Sequence, residues 1–298
     1  RSKYYRMQLE KAKQVAESLL RSREKLMLTI SHDIRAPLSS IIGYIELLLR
    51  RHPDERQQYY LENMKGSSDH ILSLVNDLLD FQRLESGEME VHSVPFRVPV
   101  LFDEIYTSFQ PIAEAKGLRF VLNLKPEETG QVYMGDPIRI RQVVGNLLSN
   151  AIKFTENGSV SLRADYDNGL LKLIVEDTGT GMTEEEQQRV FGAFERLSNA
   201  AAKDGFGLGL SIVQRIVTML GGTIRLESDK GKGSRFTVEI PMQTAEELPE
   251  RINQTQVHHN HTFHDVVAID NDEVLLLMLK EMYAQEGIHC DTCTNAAE

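Results

Sequence analysis

Asn146-Leu147-Leu148-Ser149-Asn150-Ala151-Ile152-Lys153-Phe154 decides how this chain is read. Asn146, Asn150 and Lys153 recur at i, i+4 and i+7, so they share one face of a helix. An amide oxygen can ligate Mg²⁺ and a lysine can meet phosphate, whereas a purely structural, solvated face would be expected to mix in acids. Two glycine clusters follow. Asp177-Thr178-Gly179-Thr180-Gly181 ends the strand Leu173-Ile174-Val175, and Gly205-Phe206-Gly207-Leu208-Gly209 opens a helix. Glycines at a helix start allow close backbone approach, and the exposed N–H groups with the helix dipole favour phosphate. Taken alone, a GxGxG is equally a structural turn.

Around these clusters the sequence alternates strands and helices. Alternation or β-branched content marks strands over 118–124, 159–165, 170–177, 223–228 and 234–240, and apolar periodicity marks helices over 99–116, 137–154 and 208–220. The pattern predicts an α/β layer domain over residues 95–242. Residues 243–264 are polar, contain His258, His259, His261 and His264, and read as a linker. A metal site there would need a carboxylate or thiolate that is not obvious.

The N-terminal third has a different texture. Leu9, Ala12, Ala16, Leu19, Arg23, Leu26 and Ile30 follow the 3-4 spacing of a coiled-coil seam, although one position is Arg, and residues 1–30 read as a coiled-coil signalling helix; with only four heptads, the alternative is a single amphipathic helix lying on its own domain. After Arg35-Ala36-Pro37, Ile34, Leu38, Ile41, Ile45 and Leu48 keep helical spacing, so Pro37 should kink the helix. Residues 50–54 read as a turn, and a second stripe of Met64, Ile71, Val75, Leu78 and Phe81 stops at Ser86-Gly87. Residues 31–90 therefore form a helical hairpin that buries only part of its apolar surface alone. Two hairpins would make a four-helix bundle, so dimerisation is expected.

His32 lies in this hairpin, in Ser31-His32-Asp33-Ile34-Arg35-Ala36-Pro37-Leu38. A neutral imidazole is a good nucleophile near pH 7, and the adjacent Asp33 carboxylate can orient it or take its proton. A lone helical His is more often structural. The other clusters change that weighting.

Composition narrows the classes of function. Among 298 residues, 33 basic against 44 acidic side chains leave a net charge of −11, which argues against direct nucleic-acid or anionic-membrane binding. Two cysteines, Cys290 and Cys293, cannot supply a disulfide framework or a complete zinc site. No apolar run reaches a membrane span and no signal peptide opens the chain, so the expected setting is cytoplasmic. A membrane connection would come only through upstream segments.

Together these residues resemble the sensor histidine kinases of two-component systems, over nearly the whole chain. His32 with Asp33, Arg35, Pro37 and Leu38 matches the phosphoacceptor motif, and residues 136–155 match the Asn-rich motif. Asp177, Gly179 and Gly181 match the first glycine motif, Phe191 and Phe194 the Phe motif, and Gly205, Gly207 and Gly209 the second glycine motif. Gly231-Lys232-Gly233-Ser234 matches a terminal glycine turn. Motifs in family order at this density are highly specific.

The resemblance implies an α+β multidomain architecture. A helical-hairpin dimerisation bundle would carry His32, and a Bergerat-type α/β sandwich would bind ATP and deliver its γ-phosphoryl group to that residue. Asn150 would hold Mg²⁺, Asn146 and Lys153 would sit near the phosphates, and Asp177 would accept a hydrogen bond from the adenine amino group. Residues 182–204 would form a lid over ATP. The expected partners are a second copy of the chain and the receiver domain of a response regulator.

Two rivals remain on the same residues. One is an ATP-hydrolysing conformational machine of the same fold; in such relatives a Glu four residues before the Mg²⁺ Asn activates water. Here that position is Asn146, which cannot act as a general base. The other is a catalytically silent dimeric scaffold, against which the intact ligand motifs argue.

Residues 265–298 resemble the start of a receiver domain and read as one cut short, which would make the parent protein a hybrid kinase. Asp270 matches the first acid of the receiver metal site, while Asn271 stands where a second acid is usual and Asp272 follows it. The receiver's phosphoacceptor would lie beyond Glu298. Ala36 also departs from the family, where Thr or Asn often positions water for dephosphorylating the partner, so weak phosphatase activity is expected.

Overall fold

The computed structural model describes residues 11, 34–35, 37–124, 132–167, 169–195, 207–245, 265–270, 273–285 and 287–294. The coiled-coil seam, His32, Asp33, Ala36, Gly205, the His-rich stretch, Asn271 and Asp272 lie outside them. Two compact units emerge, one of residues 1–82 with 254–298 and one of residues 83–253.

In the first unit, helix α1 (residues 37–49) and helix α2 (Glu55–Ser86) form the expected hairpin. The turn places His52 at φ 53° and hands over to a reciprocal cap. The Gln57 N–H donates to Asp54 Oδ1 at 2.8 Å, while the Asp54 N–H donates to Gln57 Oε1 at 3.1 Å. Such pairing satisfies N–H groups that a helix start leaves open. Leu38, Ile45, Leu47, Val75, Leu79 and Phe81 are buried. The Arg35 guanidinium donates to Asn76 Oδ1 at 2.7 Å, and Lys65 pairs with Glu46 at 2.8 Å.

The single stripe expected on each helix divides in the structure. Leu38, Ile45, Val75 and Phe81 are buried, while Ile34, Ile41, Leu48, Met64 and Ile71 are exposed together with Tyr44, Tyr59 and Tyr60. The apolar arc is wider than one antiparallel neighbour can cover, as in helices that contact two partners.

The same unit contains β9 (Asp265–Ile269), α7 (Glu273–Gln285) and β10 (His289–Cys293), with the two strands parallel. This is the expected βαβ start. Cys290 is buried and Cys293 half-buried, and both are free thiols.

The second unit is a two-layer sandwich. Its sheet runs β2-β4-β5-β7-β6, comprising β2 (Arg119–Leu124), β4 (Ser159–Asp167), β5 (Leu170–Asp177), β7 (Gly233–Pro241) and β6 (Thr223–Asp229). Only the β2–β4 pair in this sheet is parallel. Helices α3 (Val98–Ala115), α4 (Pro137–Phe154) and α6 (Gly209–Met219) supply the covering layer. Leu162, Ala164, Leu171, Leu173, Val175, Phe236 and Val238 alternate inward to meet Val143, Leu147, Leu148, Ile212 and Ile216 in the core. The other face carries cross-strand ion pairs, Glu176 with Arg235 at 3.0 Å and Lys172 with Glu239 at 3.4 Å.

A second, smaller sheet was not anticipated. β1 (Val94–Phe96), β3 (Val132–Gly135) and β8 (Gln243–Ala245) pair antiparallel in the order β1-β3-β8. β8 occupies the first residues of the stretch read as linker over 243–264, because its backbone groups find partners on β3.

Candidate functional site

The amide face of α4 is fixed at both ends of the helix. At its start, the 2%-exposed Asp136 caps the helix, accepting from the Arg139 N–H at 3.0 Å and from the His92 N–H at 2.9 Å. A cap of this kind is worth about 1 kcal/mol. Ile140, Val143, Val144, Leu147, Leu148, Ala151 and Ile152 bury the inner face, leaving Asn146, Asn150 and Lys153 half-buried on the rim. Lys153 Nζ lies 5.3 Å from the centre of the Phe154 ring.

The two glycine motifs converge on this helix. A Cβ at Gly209, the first residue of α6, would stand 3.9 Å from both Asn146 Oδ1 and Asn150 Nδ2. At the other end of α4, the Thr180 N–H reaches the Phe154 carbonyl at 3.3 Å, and Gly179 packs against that carbonyl. The structure therefore brings Asn146, Asn150, Gly209 and the Asp177–Gly181 turn onto one helix. Gly207, at φ 73°, turns the chain against the Glu195 backbone and accepts from the Phe194 N–H at 3.1 Å. It shapes the approach to α6.

Asp177 closes β5 with only 7% of its surface exposed. Burial pushes its carboxyl pKa up, the Gly179 and Ser234 N–H groups pull it back, and Glu176 adds a smaller upward push. The Gly179 N–H donates to Oδ1 at 2.8 Å. The result is a fixed, largely desolvated acceptor. Gly181, at φ 58°, admits no side chain because a Cβ would collide with the Asp229 carbonyl.

Residues 182–195 begin the expected lid, and they are anchored more firmly than a loop would be. They include a short helix, α5 (Glu184–Arg189), with a capping box between Thr183 and Glu186. Lys230 pairs with Glu186 at 2.9 Å, and Gln187 Nε2 donates to the Ser228 carbonyl at 2.8 Å. Phe191 meets Phe236 edge to face at 6.4 Å, whereas Phe194 is exposed. Sequence reasoning missed Ser228 and Gln187, whose partners follow from the β6–β7 turn and carry no periodic signal.

These residues suit a magnesium nucleotide. The Gly209 cradle at the amides leaves space that any side chain would fill, amide oxygens accept a hard cation, and a buried carboxylate acceptor suits an amino group. Residues 135–244 match the family model described as histidine kinase-, DNA gyrase B- and HSP90-like ATPase, and residues 22–87 match the His Kinase A (phospho-acceptor) domain. The chain belongs to the sensor histidine kinases.

Among sensor kinases, it is 34% identical over 248 residues to the sensor protein GacS of Pseudomonas syringae pv. syringae, covering 81% of this chain and 27% of that protein. Signal transduction histidine-protein kinase BarA of Escherichia coli K12 is 34% identical over 241 residues, covering 78% and 26%. The chain thus spans about a quarter of the length of the curated relatives it matches. Full-length ShkA, crystallised in complex with AMPPNP, superposes with a TM-score of 0.62 at 28% identity, covering 92% of this chain and 56% of that one. No described helix of this sensor kinase is long and apolar enough to cross a membrane.

Proposed function

We propose that this chain is the core of an ATP-dependent protein-histidine kinase that phosphorylates its own His32 and passes the phosphoryl group to an aspartate of a receiver domain. The observation that carries the reading is the meeting of Asn146 and Asn150 with the glycine-led start of α6. Bound Mg²⁺ would neutralise phosphate charge, with Asn150 as its protein ligand. Asn146, Lys153 and the backbone N–H groups near Gly209 would orient the phosphates, and Asp177 would accept from the adenine amino group. Phosphoryl transfer asks mainly for this positioning and neutralisation.

At the acceptor, a neutral His32 nitrogen forms a bond to the γ-phosphorus. The bond from that phosphorus to the β–γ bridging oxygen breaks, and ADP leaves with the electron pair. Asp33 orients the ring and takes up the imidazole proton. With Asn146 where a water-activating Glu would stand, the bound nucleotide waits for His32.

The exposed stripe of Ile41, Leu48, Met64 and Ile71 supports pairing with a second hairpin in a four-helix bundle, so the working unit is a homodimer. The receiver partner follows from the chemistry of phosphohistidine and from the βαβ start at residues 265–293. We place this portion in the cytoplasm, where ATP and response regulators meet. Incubation with γ-labelled ATP and Mg²⁺ tests the reading. Acid-labile, base-stable label that is lost in His32→Gln and Asn150→Ala is expected. Phosphate release without label would transfer the chain to the ATPase reading, and neither would point to a scaffold. Light scattering at micromolar protein should return a dimer mass.

A further inference from the structure

The end of β6 holds a hydroxyl whose contacts link two parts of the site. Ser228 Oγ accepts from the Met182 N–H at 2.9 Å, donates to the Gly233 carbonyl at 2.8 Å and stands 3.0 Å from Ser234 Oγ. A serine hydroxyl has one proton and two lone pairs. With its proton on Gly233, the Ser234 hydroxyl is the donor in the third contact, and every capacity of Ser228 is filled. Its carbonyl is engaged too, accepting from Gln187 Nε2, which also reaches the Met182 carbonyl at 3.3 Å.

On one side, then, Ser228 holds the root of the 182–195 segment. On the other side it holds the start of β7, which abuts Asp177. Asp177 and Ser234 are register partners, and the Ser234 N–H bonds the Asp177 carboxylate. Gly233, at φ 102°, lies so close to the Asp177 carbonyl that a Cβ there would collide with it. A shift of Gly233 or Ser234 therefore moves the acceptor.

We infer that Ser228 is a positioning residue that couples the root of the 182–195 segment to Asp177, so that purine selectivity depends on a hydroxyl outside the base contact. The inference rests on the reading that Asp177 meets the adenine amino group. Guanine carries an oxygen where adenine carries that group, so a fixed carboxylate accepts from adenine and repels guanine. A carboxylate free to swing discriminates less.

The test is equilibrium titration of the chain with ATP and with GTP, both with Mg²⁺, alongside a melting temperature for each variant. Ser228→Ala is expected to narrow the ATP-over-GTP preference by about tenfold, chiefly by weakening ATP, as the loss of one or two hydrogen bonds implies. Ser228→Thr, which keeps the hydroxyl, should restore the preference to within about twofold. Gln187→Leu cuts the tie from the α5 side and should narrow it by about threefold, which keeps the inference testable if Ser228→Ala does not fold. A purely structural role would weaken both nucleotides equally and leave their ratio unchanged. That result in a folded Ser228→Ala or Gln187→Leu variant, beside an unmodified chain that prefers ATP, overturns this inference alone. An unmodified chain that binds neither nucleotide overturns the nucleotide reading, and this inference with it.

Discussion

Gly179 lies against the Phe154 carbonyl so closely that a Cβ would stand 2.5 Å from that oxygen and 2.9 Å from Asp177 Oδ1. The first glycine motif is therefore a close approach between the end of α4 and the end of β5. Gly179→Ala must push one of them aside. The expected loss is at least about tenfold in ATP affinity with about 1–3 kcal/mol of stability. Paired nucleotide titration and urea denaturation would check it, and an unchanged affinity would contradict the geometry.

Asp177 should give nucleotide binding a pH signature. Its carboxyl must be ionised to accept without donating, and burial raises its pKa. As pH falls, it should take up a proton earlier than an exposed aspartate, so ATP affinity should start to weaken above the ordinary carboxylate range. Asp177→Asn should remove that limb of the profile and weaken ATP at neutral pH, measured by titration between pH 4 and 8.

In α2, Asp77 makes a separate statement about stability. Burial, helped by the Asp80 charge and opposed by His70, raises its pKa from 3.8 to about 6. The folded chain then holds this proton more tightly than the unfolded chain. The unfolded state binds fewer protons across the interval, so the contribution to stability falls as pH rises from near 4 through about 6 and is flat above. Asp77→Asn should be more stable than the parent at pH 7 by about 2–3 kcal/mol, with the gap closing toward pH 4. Denaturant titrations at three pH values would measure the difference.

Asn146 offers a change of outcome. Replacing it by Glu adds a base on the phosphate side of α4, so Asn146→Glu should raise phosphate release at the expense of labelled protein. An unchanged partition would mean that water has no access to that face.

Ala36 bears on the reverse reaction. Its methyl cannot position water, so the unmodified chain should dephosphorylate a cognate receiver weakly and Ala36→Thr should do so faster. A phosphorylated receiver mixed with each form reads this directly, and strong phosphatase activity in the unmodified chain would end the idea.

The long elements could be read in the sequence because their periodicity follows from burial. α4 announces itself through Ile140, Val143, Leu147 and Ala151, and β5 through alternation. The small sheet could not. β1 is Val94-Pro95-Phe96, too short for a period and interrupted by a proline that an edge strand tolerates, and β8 is the polar Gln243-Thr244-Ala245. What makes them strands is the backbone of β3, a distant segment. The site divides likewise: Asn146, Asn150 and Gly209 were recognisable by type and spacing. The Ser228 ties depend on turn geometry that no spacing encodes.

The parallel pairing of β2 with β4 has a consequence for how this domain can be rewired. Parallel neighbours need a long return path, and α4 lies on that path. The helix that presents the amides is thus also the bridge holding the edge strand in place. Circular permutants opened between β4 and β5, where Gly169 turns a hairpin, leave that bridge whole. Cuts within residues 137–154 would sever ligand recognition and sheet connectivity in one stroke.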